Sequence, residues 1–510
     1  MVAISYTIAF IGIEGKEIEV QCSLSSGLPA FNIVGLADKT VAESKERIRS
    51  AFYSAGIALP AKRITVNLAP ADMPKEGSHY DLPIAVALLA SMEIISEHEL
   101  SNYTILGELS LNGRINPVFG AISAAISTAS TSRTLICPAA SAKEAAIVGT
   151  ISIIAPETLI ELINHLTGKH IIPPPSPSNA VEYIDATYDF SDIRGQETAK
   201  RALEIAAAGG HNVLLSGPPG SGKSMLANRF PSILPYLTAE EALEVMQIYS
   251  LSGLLSSDNP IPHKRPFRNP HHTASPSAII GGGRPVKPGE VTLAHNGVLF
   301  LDELPEFPPH VLDTLRQPME TGSVTIARVH SKVVYPARNQ LIAAMNPCKC
   351  GYLNDPLRAC PKSPMCASTY QNRISGPLLD RIDIFIDVPP VNLMQLSQQS
   401  QSESSATILT RVINARNIQT SKFSEIHKTM PCIKLRTNSD LRGSVIDRLI
   451  HPDKKALQLM QQAGEKMMLT ARGYNRTLCL AQTIADLDQS EEIKYHHVAE
   501  ALTLHKNSFL

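Results

Sequence analysis

The chain has 510 residues, with 46 lysines and arginines against 47 aspartates and glutamates, so its formal net charge is −1. A near-neutral total excludes a uniformly basic nucleic-acid coat protein and an acidic disordered tail. Hydrophobic residues make up 44% and charged residues 18%, which supplies a buried core and indicates a folded soluble protein. Eight cysteines are too sparse for a disulfide scaffold. At roughly 150 residues per domain, the length suggests about three domains.

The N-terminal residues do not have the composition of a signal peptide, because they lack a basic n-region and carry Glu14, Glu17 and Glu19. The longest apolar run, residues 82–92, is well short of the ~20 residues that a membrane-spanning helix needs. We therefore expect a cytoplasmic protein without a membrane partner.

The first predicted domain, residues 1–168, is an α/β unit. Residues 5–24 alternate and are rich in Ile and Val, which predicts two strands around a turn at Gly15. Helical spacing predicts a helix over residues 41–56 that stops at Gly56. Residues 82–92 fit an apolar helix or strand, and an alanine-rich helix is expected at 118–128. Further strands are predicted at residues 64–68, 103–106, 134–137 and 151–154.

A proline-rich spacer at residues 169–187 separates this domain from a second α/β unit at residues 188–395. Residues 396–510 are predicted to form a polar linker and a C-terminal helical lid domain. Residues 397–405 have the sequence SQQSQSESS, which is too polar to order itself. From about residue 438 the pattern is helical, with one apolar face formed by Ala456, Leu459, Met460 and Ala463.

A glycine-rich loop follows the short apolar strand at residues 213–215 and precedes a helical pattern, the setting of a phosphate-binding loop. Its glycines let successive backbone N–H groups point at phosphate oxygens, and the helix adds its positive dipole end. Lys223 is expected to neutralise the β- and γ-phosphates, and the Ser224 hydroxyl to ligate Mg²⁺. A merely glycine-rich turn is the alternative. The predicted ATP-binding residues are Gly217, Pro218, Pro219, Gly220, Ser221, Gly222, Lys223 and Ser224, with Asp302.

A second apolar run, residues 297–301, ends in Asp302 and Glu303. Such a run predicts a buried parallel strand that delivers both carboxylates to the C-terminal edge of a sheet. Asp302 is expected to hold Mg²⁺ through water, and Glu303 to orient the attacking water. The alternative is a chance helix start at Asp302.

Two further polar residues complete the predicted catalytic set. Asn346 ends the apolar run 341–345, where it could contact the γ-phosphate or the lytic water; the alternative is a capping role before Pro347. Arg381 could stabilise charge on the transferring phosphoryl group of a neighbouring subunit. Its alternative is a surface salt bridge to Asp380 or Asp383.

A cysteine cluster and two basic stretches suggest further ligands. Four thiolates are the usual ligand set of a structural zinc ion, and the candidates, in a predicted insertion at residues 346–368, are Cys348, Cys350, Cys360 and Cys366. Reduced cysteines without a metal are the alternative. Residues 321–340 alternate as a β-hairpin just before the Asn346 strand. Basic residues there and at 262–290 would contact DNA phosphates without reading sequence, and the candidates are Arg268, Lys287, Arg328 and Lys332. A solvated hairpin or contacts between subunits are the alternatives.

Four longer motifs in the second unit resemble those of a known protein family. They are Asp192-Ile-Arg-Gly-Gln196, Ala206-Ala-Ala-Gly-Gly-His211, Arg265-Pro-Phe-Arg268-Asn-Pro-His-His272-Thr-Ala-Ser275 and Ile374-Ser-Gly-Pro-Leu-Leu-Asp-Arg381-Ile-Asp383. They resemble the magnesium-chelatase-like branch of the AAA+ ATPases, and within it the ComM/YifB family. The resemblance implies a hexameric ring that uses ATP and Mg²⁺ and migrates branched DNA during natural transformation. It also implies Arg381 as the arginine acting in trans and Arg472 as the lid sensor, with Arg476 as the alternative to Arg472.

The first domain resembles a Lon-type protease domain at residues 74–81 and 107–114. On that framework the catalytic serine position is His79 and the lysine position is Ala124, while Ser78 is one place off. A serine hydroxyl needs a base within hydrogen-bond reach to become a nucleophile. The resemblance therefore implies a non-proteolytic module for assembly or partner binding.

These observations predict a sequence-independent, ATP-driven DNA motor that promotes heteroduplex extension during recombination of incoming DNA. The rival of a different class is a chelatase-like ATPase that remodels a protein partner or acts in metal insertion. A third hypothesis, an ATP-dependent protease, is opposed by His79 and Ala124.

Overall fold

The computed structural model describes residues 2–175, 188–255, 262–283, 286–327, 332–353, 364–390, 402–431 and 434–505. Its strands are β1 (Val2–Ile11), β2 (Glu14–Ser25), β3 (Ala30–Val34), β4 (Arg63–Ala69), β5 (Tyr103–Ile105), β6 (Glu108–Leu109), β7 (Ile115–Asn116), β8 (Thr134–Ile136), β9 (Ile153–Ile154), β10 (Val213–Ser216), β11 (Phe267–Arg268), β12 (Gly281–Gly282), β13 (Lys287–Pro288), β14 (Val298–Leu301), β15 (Ser323–Ala327), β16 (Lys332–Pro336), β17 (Gln340–Met345) and β18 (Ile384–Asp387). Its helices are α1 (Lys39–Ser54), α2 (Asp81–Ser91), α3 (Glu97–Leu100), α4 (Ala121–Ala129), α5 (Ala139–Ala146), α6 (Leu159–Leu166), α7 (Glu197–Gly209), α8 (Lys223–Arg229), α9 (Ala239–Ser252), α10 (Pro276–Ile280), α11 (Glu290–Leu293), α12 (Pro309–Thr314), α13 (Arg316–Thr321), α14 (Met365–Gln371), α15 (Gly376–Leu379), α16 (Ser405–Thr429), α17 (Ser444–Leu449), α18 (Lys454–Lys466), α19 (Ala471–Leu487) and α20 (Tyr495–His505). The mixed α/β class is as predicted.

The first unit is built on a mixed sheet whose described strands have the order β3-β4-β2-β1-β5-β8-β9. Its β1–β2 hairpin turns at Gly12, where φ is +65°, a conformation that glycine adopts without steric cost. Gly15 instead lies inside β2 and pairs with Phe10. The predicted turn at Gly15 is therefore wrong, although both strands are confirmed.

Residues 82–92, for which the sequence left a helix or a strand open, are helical for most of their length and belong to α2. It is apolar on every face, and its residues Leu82 to Ala90 are buried against β1 and β2. A helix that is apolar all round needs cover on all sides, which explains its central position. The predicted stop of α1 is also confirmed, because Gly56 follows the helix with φ +72°.

The second unit contains a parallel sheet whose described strands have the order β11-β14-β17-β10-β18. Every residue of β10, β14 and β17 is buried. Helices cover both faces of such a sheet, so the strands are continuous apolar runs rather than alternating ones. The strands predicted before the phosphate loop, before Asp302 and before Asn346 are confirmed.

A long helix, α16, joins the parallel sheet unit to the C-terminal helices, and the sequence analysis did not predict it. The Ser404 side chain caps its first turn by accepting from the backbone N–H of Thr407. Its buried residues include Ile408, Val412 and Ala415, which share a core with α7 and α19. Ordered structure therefore begins well before residue 438, whereas residues 397–401 of the polar stretch lie outside the described residues.

The two α/β units are in direct contact. Ile122 of α4 shares a small apolar cluster with Ala242 and Met246 of α9. The β1–β2 turn lies on strand β16, so close that a Cβ atom at Gly12 would stand 2.5 Å from the carbonyl oxygen of Val334. Strand β16 pairs antiparallel with β15, which confirms the hairpin predicted before the Asn346 strand.

Candidate nucleotide-binding site

The phosphate loop leaves the sheet at Ser216 and enters α8 at Lys223. Gly217 allows a close approach of backbone to backbone, since a Cβ there would lie 2.2 Å from the carbonyl oxygen of Val388. Gly222 has φ +93°, a conformation that L side chains rarely adopt. Packing and backbone conformation thus require glycine at both positions. The loop has the shape that turns N–H groups towards an anion.

The Lys223 ammonium group lies in a cradle of oxygen acceptors. Its Nζ donates to the carbonyl oxygens of Gly217 at 2.7 Å and Pro218 at 2.9 Å, and to Oδ1 of Asn346 at 3.1 Å. Burial lowers the pKa of Lys223, and the nearby carboxylates of Asp302 and Glu303 oppose that shift. The same lysine is thus oriented between the loop and the neighbouring strand. A phosphate group would supply the counter-charge that a buried lysine needs.

The Ser224 hydroxyl donates to Oδ2 of Asp302 at 2.7 Å, which joins the helix after the loop to the strand β14. Asp302 uses its other oxygen to accept from the N–H of Glu303 at 2.9 Å. The Ser221 hydroxyl is buried and has no hydrogen-bond partner among the described residues. A cradled lysine, an unsatisfied buried hydroxyl and a hydroxyl–carboxylate pair together fit a nucleotide with Mg²⁺. Ser224 and Asp302 are the residues that would hold the ion.

Glu303 is the next residue after Asp302, and its backbone is in the left-handed region, with φ +51°. A residue other than glycine pays for that conformation, and such strain occurs at functional sites. Its Oε2 lies 3.5 Å from Nδ1 of His272, and both side chains are partly exposed. In the sequence His272 was quoted only as part of a family motif, and its pairing with Glu303 was not predicted. Its position just after β11, the strand beside β14, is the signal that could have revealed it.

Asn346 lies where the sequence analysis expected it, at the end of β17. Its side chain accepts from Lys223 and is directed into the site, so the capping alternative does not describe it. A second missed contact is Gln196, whose amide donates to the carbonyl oxygens of Ser221 and Pro389. Gln196 belongs to one of the quoted family motifs and ties the phosphate loop to the end of β18.

Arg381 lies at the opposite edge of the sheet from the phosphate loop. Strands β10 and β18 run parallel with Val213 beside Ile384, so a residue that precedes β18 lies where these strands begin. The four residues of β10 separate the two edges by about 13 Å. The Arg381 side chain is buried and donates to the carbonyl oxygens of Arg316 and Pro377 and to Glu320. Its ion-pair partner is therefore Glu320, not Asp380 or Asp383 as the surface alternative supposed.

The two candidate lid arginines of α19 lie at the same edge. Arg472 donates to the second oxygen of Glu320 at 2.7 Å, so Glu320 bridges Arg472 and Arg381. Arg476 donates to Asp383 at 2.7 Å. Burial alone would raise the pKa of Asp383, but Arg476 and its other donors hold it well below its usual range. All five side chains line one cavity of about 510 Å³, in which Arg472 is the more exposed of the two lid arginines.

The predicted DNA-contacting residues have different surroundings. Lys332, on the β15–β16 hairpin, and Lys287, on the short β12–β13 hairpin, are exposed. The two hairpins touch, because the Tyr335 hydroxyl donates to the carbonyl oxygen of Val286 at 3.2 Å. Arg268 instead forms a bidentate pair with Glu290, at 2.6 and 2.8 Å, which neutralises the charge on which its prediction depended. Arg328 lies outside the described residues.

Three of the four predicted zinc ligands come together. The sulfur atoms of Cys348, Cys350 and Cys366 all lie within 4.8 Å of one another, and Cys360 lies outside the described residues. Burial and the neighbouring Cys350 thiol raise the pKa of Cys348 to about 11.

The two residues at the protease-like catalytic positions of the first unit, His79 and Ala124, are both buried. His79 donates from Nε2 to the carbonyl oxygen of Ile8 at 2.9 Å, and burial lowers its pKa to about 4. Ala124 is buried in α4 and offers only a methyl group. Ser78 begins the short turn before α2, and the structure gives no hydrogen bond from its hydroxyl to a base among the described residues. None of the helices in the described ranges combines the length and apolar character needed to cross a membrane.

Three family models cover most of the chain, and all three describe magnesium chelatase. The model "Magnesium chelatase, subunit ChlI" matches residues 189–396, "Subunit ChlI of Mg-chelatase" matches residues 18–141, and "Magnesium chelatase, subunit ChlI C-terminal" matches residues 402–505. The matches include the phosphate loop, the acidic strand and the lid helices. This family implies the use of ATP and Mg²⁺.

Similarity to known proteins extends over the full length. The chain is 41% identical to the uncharacterized protein YifB of Escherichia coli, over 98% of this chain and 96% of that protein. It is 42% identical to the competence protein ComM of Haemophilus influenzae, with the same coverage. It is 36% identical to the uncharacterized protein Rv2897c of Mycobacterium tuberculosis, over 98% of this chain and 97% of that protein. The chain therefore belongs to the ComM/YifB family of magnesium-chelatase-like proteins.

Proposed function

We propose that the protein is a ring-forming ATPase whose active site is shared between neighbouring subunits. The observation that carries this proposal is the position of Arg381 and Arg472 at the sheet edge opposite their own phosphate loop. A site at one edge and its arginines at the other make a head-to-tail contact, which generates a ring when the rotation between subunits closes. The resemblance to AAA+ proteins supports six subunits.

The residues of the proposed site have separate tasks. The phosphate loop and Lys223 bind the β- and γ-phosphates, and Ser224 with Asp302 holds Mg²⁺, which neutralises charge developing on the phosphates. Glu303 orients the attacking water, while Asn346 keeps Lys223 in place through the 3.1 Å hydrogen bond. Arg381 and Arg472 of the next subunit stabilise the charge on the transferring group, with Glu320 holding the two guanidinium groups side by side.

We further propose that ATP hydrolysis moves DNA. Lys332 and Lys287 are exposed on two touching hairpins, and the hairpin that carries Lys332 directly precedes β17, the strand leading to Asn346. Exposed cations on a repeated element would contact phosphates around a ring without reading sequence. The relative from Haemophilus influenzae is a competence protein. Its similarity supports a role for this chain as a branch-migration helicase that extends heteroduplex during recombination of incoming DNA in natural transformation, acting in the cytoplasm.

The test is the ATPase rate with and without forked DNA, measured across a salt series. Forked DNA should stimulate hydrolysis, and the stimulation should fall steeply with salt because phosphate contacts release counterions. The same protein should migrate a four-way junction only when ATP is present. A Lys223→Ala variant serves as the control that lacks nucleotide binding. ATPase activity indifferent to DNA would contradict the motor proposal and favour the rival.

That rival is a chelatase-like ATPase that remodels a protein partner, and the match to the magnesium chelatase models supports it. The two exposed lysines favour the DNA motor over this rival, because cationic side chains attract the phosphate groups of DNA. The first unit, on this proposal, keeps a Lon-like scaffold without its catalytic dyad and serves as an assembly or partner-binding module. The buried ring of His79 and the methyl group of Ala124 support that assignment.

A further inference from the structure

The segment after Asn346 contains a cluster of thiols that the proposed ATPase cycle does not use. Its members are Cys348, which is buried, Cys350, which is exposed, and Cys366, which is half-buried at the start of α14. Their sulfur atoms lie within 4.8 Å of one another. A tetrahedral zinc ion with Zn–S bonds of ~2.3 Å places sulfur atoms about 3.8 Å apart. The three sulfurs therefore need to move by about 1 Å or less to share one ion.

The geometry does not match the other common fate of neighbouring cysteines. The sulfur atoms of Cys348 and Cys350 are 3.1 Å apart. A disulfide requires a bond of about 2.05 Å. A disulfide joins two sulfur atoms, whereas three neighbouring sulfur atoms can bind a single metal ion together.

The backbone after Cys348 forms a tight turn. Gly351 closes a turn by donating to the carbonyl oxygen of Cys348 at 2.9 Å, with φ +84°.

Apolar packing alone gives this segment little support. The cluster around Cys348 contains only Ala367, Leu353 and Cys366 among the described residues. A core of that size does not stabilise a folded segment, and small units of this kind use a metal or a disulfide instead. Soft thiolate ligands select zinc over magnesium or calcium.

The cluster lies directly against the phosphate loop. A Cβ atom at Gly351 would stand 2.4 Å from Cδ of Pro219, so the turn rests on the proline ring. Gln371 of α14 donates to the carbonyl oxygen of Pro347 at 2.9 Å. The segment is thus fixed at one end to α14 and at the other to the loop that receives phosphate.

We propose that Cys348, Cys350 and Cys366 bind a structural Zn²⁺ ion, with a fourth ligand from outside these three, and that this ion holds the Gly351 turn against the phosphate loop. The ion would be resident and would take no part in hydrolysis. The metal site does not rest on the proposed DNA function.

The first experiment measures metal content of the full-length protein after gel filtration in metal-free buffer. We expect about one zinc per chain, retained without added metal. Cys366→Ser should lose the zinc, whereas Cys479→Ser, which removes an isolated buried cysteine of α19, should retain it. Zinc well below one per chain after incubation with zinc sulfate, iron in its place, or full zinc in Cys366→Ser would overturn the proposal.

A second measurement keeps the test decisive where Cys366→Ser fails to fold. A mercurial reagent titrated into the unmodified protein should release zinc to a chromogenic chelator in step with the blocking of cysteines. Release before any thiol is blocked would contradict thiolate ligation. For the link to the phosphate loop, Gly351→Ala should keep its zinc but bind a fluorescent ATP analogue about tenfold more weakly. Unchanged nucleotide affinity would remove the link while leaving the metal site intact, and neither result depends on DNA.

Discussion

Replacing Arg381 by alanine should reduce ATP turnover by ~10³ or more while leaving nucleotide binding intact, because a trans arginine acts on the transition state. The structure makes this test demanding. Arg381 also supports its own subunit by donating to the carbonyl oxygens of Arg316 and Pro377, so loss of activity could follow from loss of fold. Complementation between two inactive variants separates these causes.

The magnitude of rescue follows from the geometry of a shared site. An interface is competent when one subunit supplies Lys223 and its neighbour supplies Arg381. In a random equal mixture of Arg381→Ala and Lys223→Ala subunits, each condition holds for half of the positions, so about a quarter of interfaces should work. Activity should follow the product of the two fractions and peak at equal mixing. A misfolded subunit cannot lend its phosphate loop, so rescue also shows that Arg381→Ala folds.

The assay is steady-state phosphate release from subunits mixed before nucleotide is added, across a range of ratios. Arg411→Ala provides the matched control, since Arg411 is a partly exposed arginine of α16 that pairs with Glu204 and Glu403. It should turn over ATP like the parent protein and show no gain on mixing. A mixture no more active than its separate components would refute the shared site.

Four further outcomes follow from the described contacts. Lys223→Ala should abolish ATP binding, whereas Glu303→Gln should bind ATP and hydrolyse it very slowly; parental turnover in Glu303→Gln would remove its role with water. His272→Ala should lower turnover about tenfold or more with unchanged ATP affinity, and His272→Asn should restore part of it, so a pure loss of affinity would argue against positioning. Lys332→Ala should reduce the slope of log K against log salt for forked DNA by about 0.7–0.9, and an unchanged slope would exclude that phosphate contact. His79 has a pKa lowered from 6.5 to about 4, so the unfolded chain binds the extra proton first, and the stability of the first unit should fall by about 1.4 kcal/mol per pH unit as pH drops from 6.5 towards 4. Urea titrations of His79→Gln should lack that dependence, and an equal slope in the variant would show another group to be responsible.

The parts of the site that lie on consecutive residues were predictable from the sequence. Lys223 and Ser224 belong to one loop, and Asp302 ends a buried strand, so the chemistry of the motif fixes their placement. Contacts between distant segments were not predictable in this way. Glu320 carries no local signal on α13, yet it bridges Arg381 and Arg472 because three separate segments meet at one sheet edge.

The misplaced turn and the missed helix have different physical reasons. Alternation in residues 5–24 is compatible with a turn at either Gly12 or Gly15, and only the pairing register chooses between them. Helix α16 follows a polar stretch and carries several Thr, Asn and Ser residues, so its propensity is modest. Its order comes from the core that it shares with α7 and α19, which is tertiary information.

The close contact between Gly12 of the first domain and the Val334 carbonyl of β16 has a mechanical consequence. The Gly12 turn of the first domain approaches the backbone of the β15–β16 hairpin closely there, because a Cβ atom at Gly12 would stand 2.5 Å from the Val334 carbonyl oxygen. A displacement of the hairpin would therefore either move the β1–β2 turn with it or break this contact. A first domain transplanted from a relative would therefore need a hairpin of matching shape at this contact.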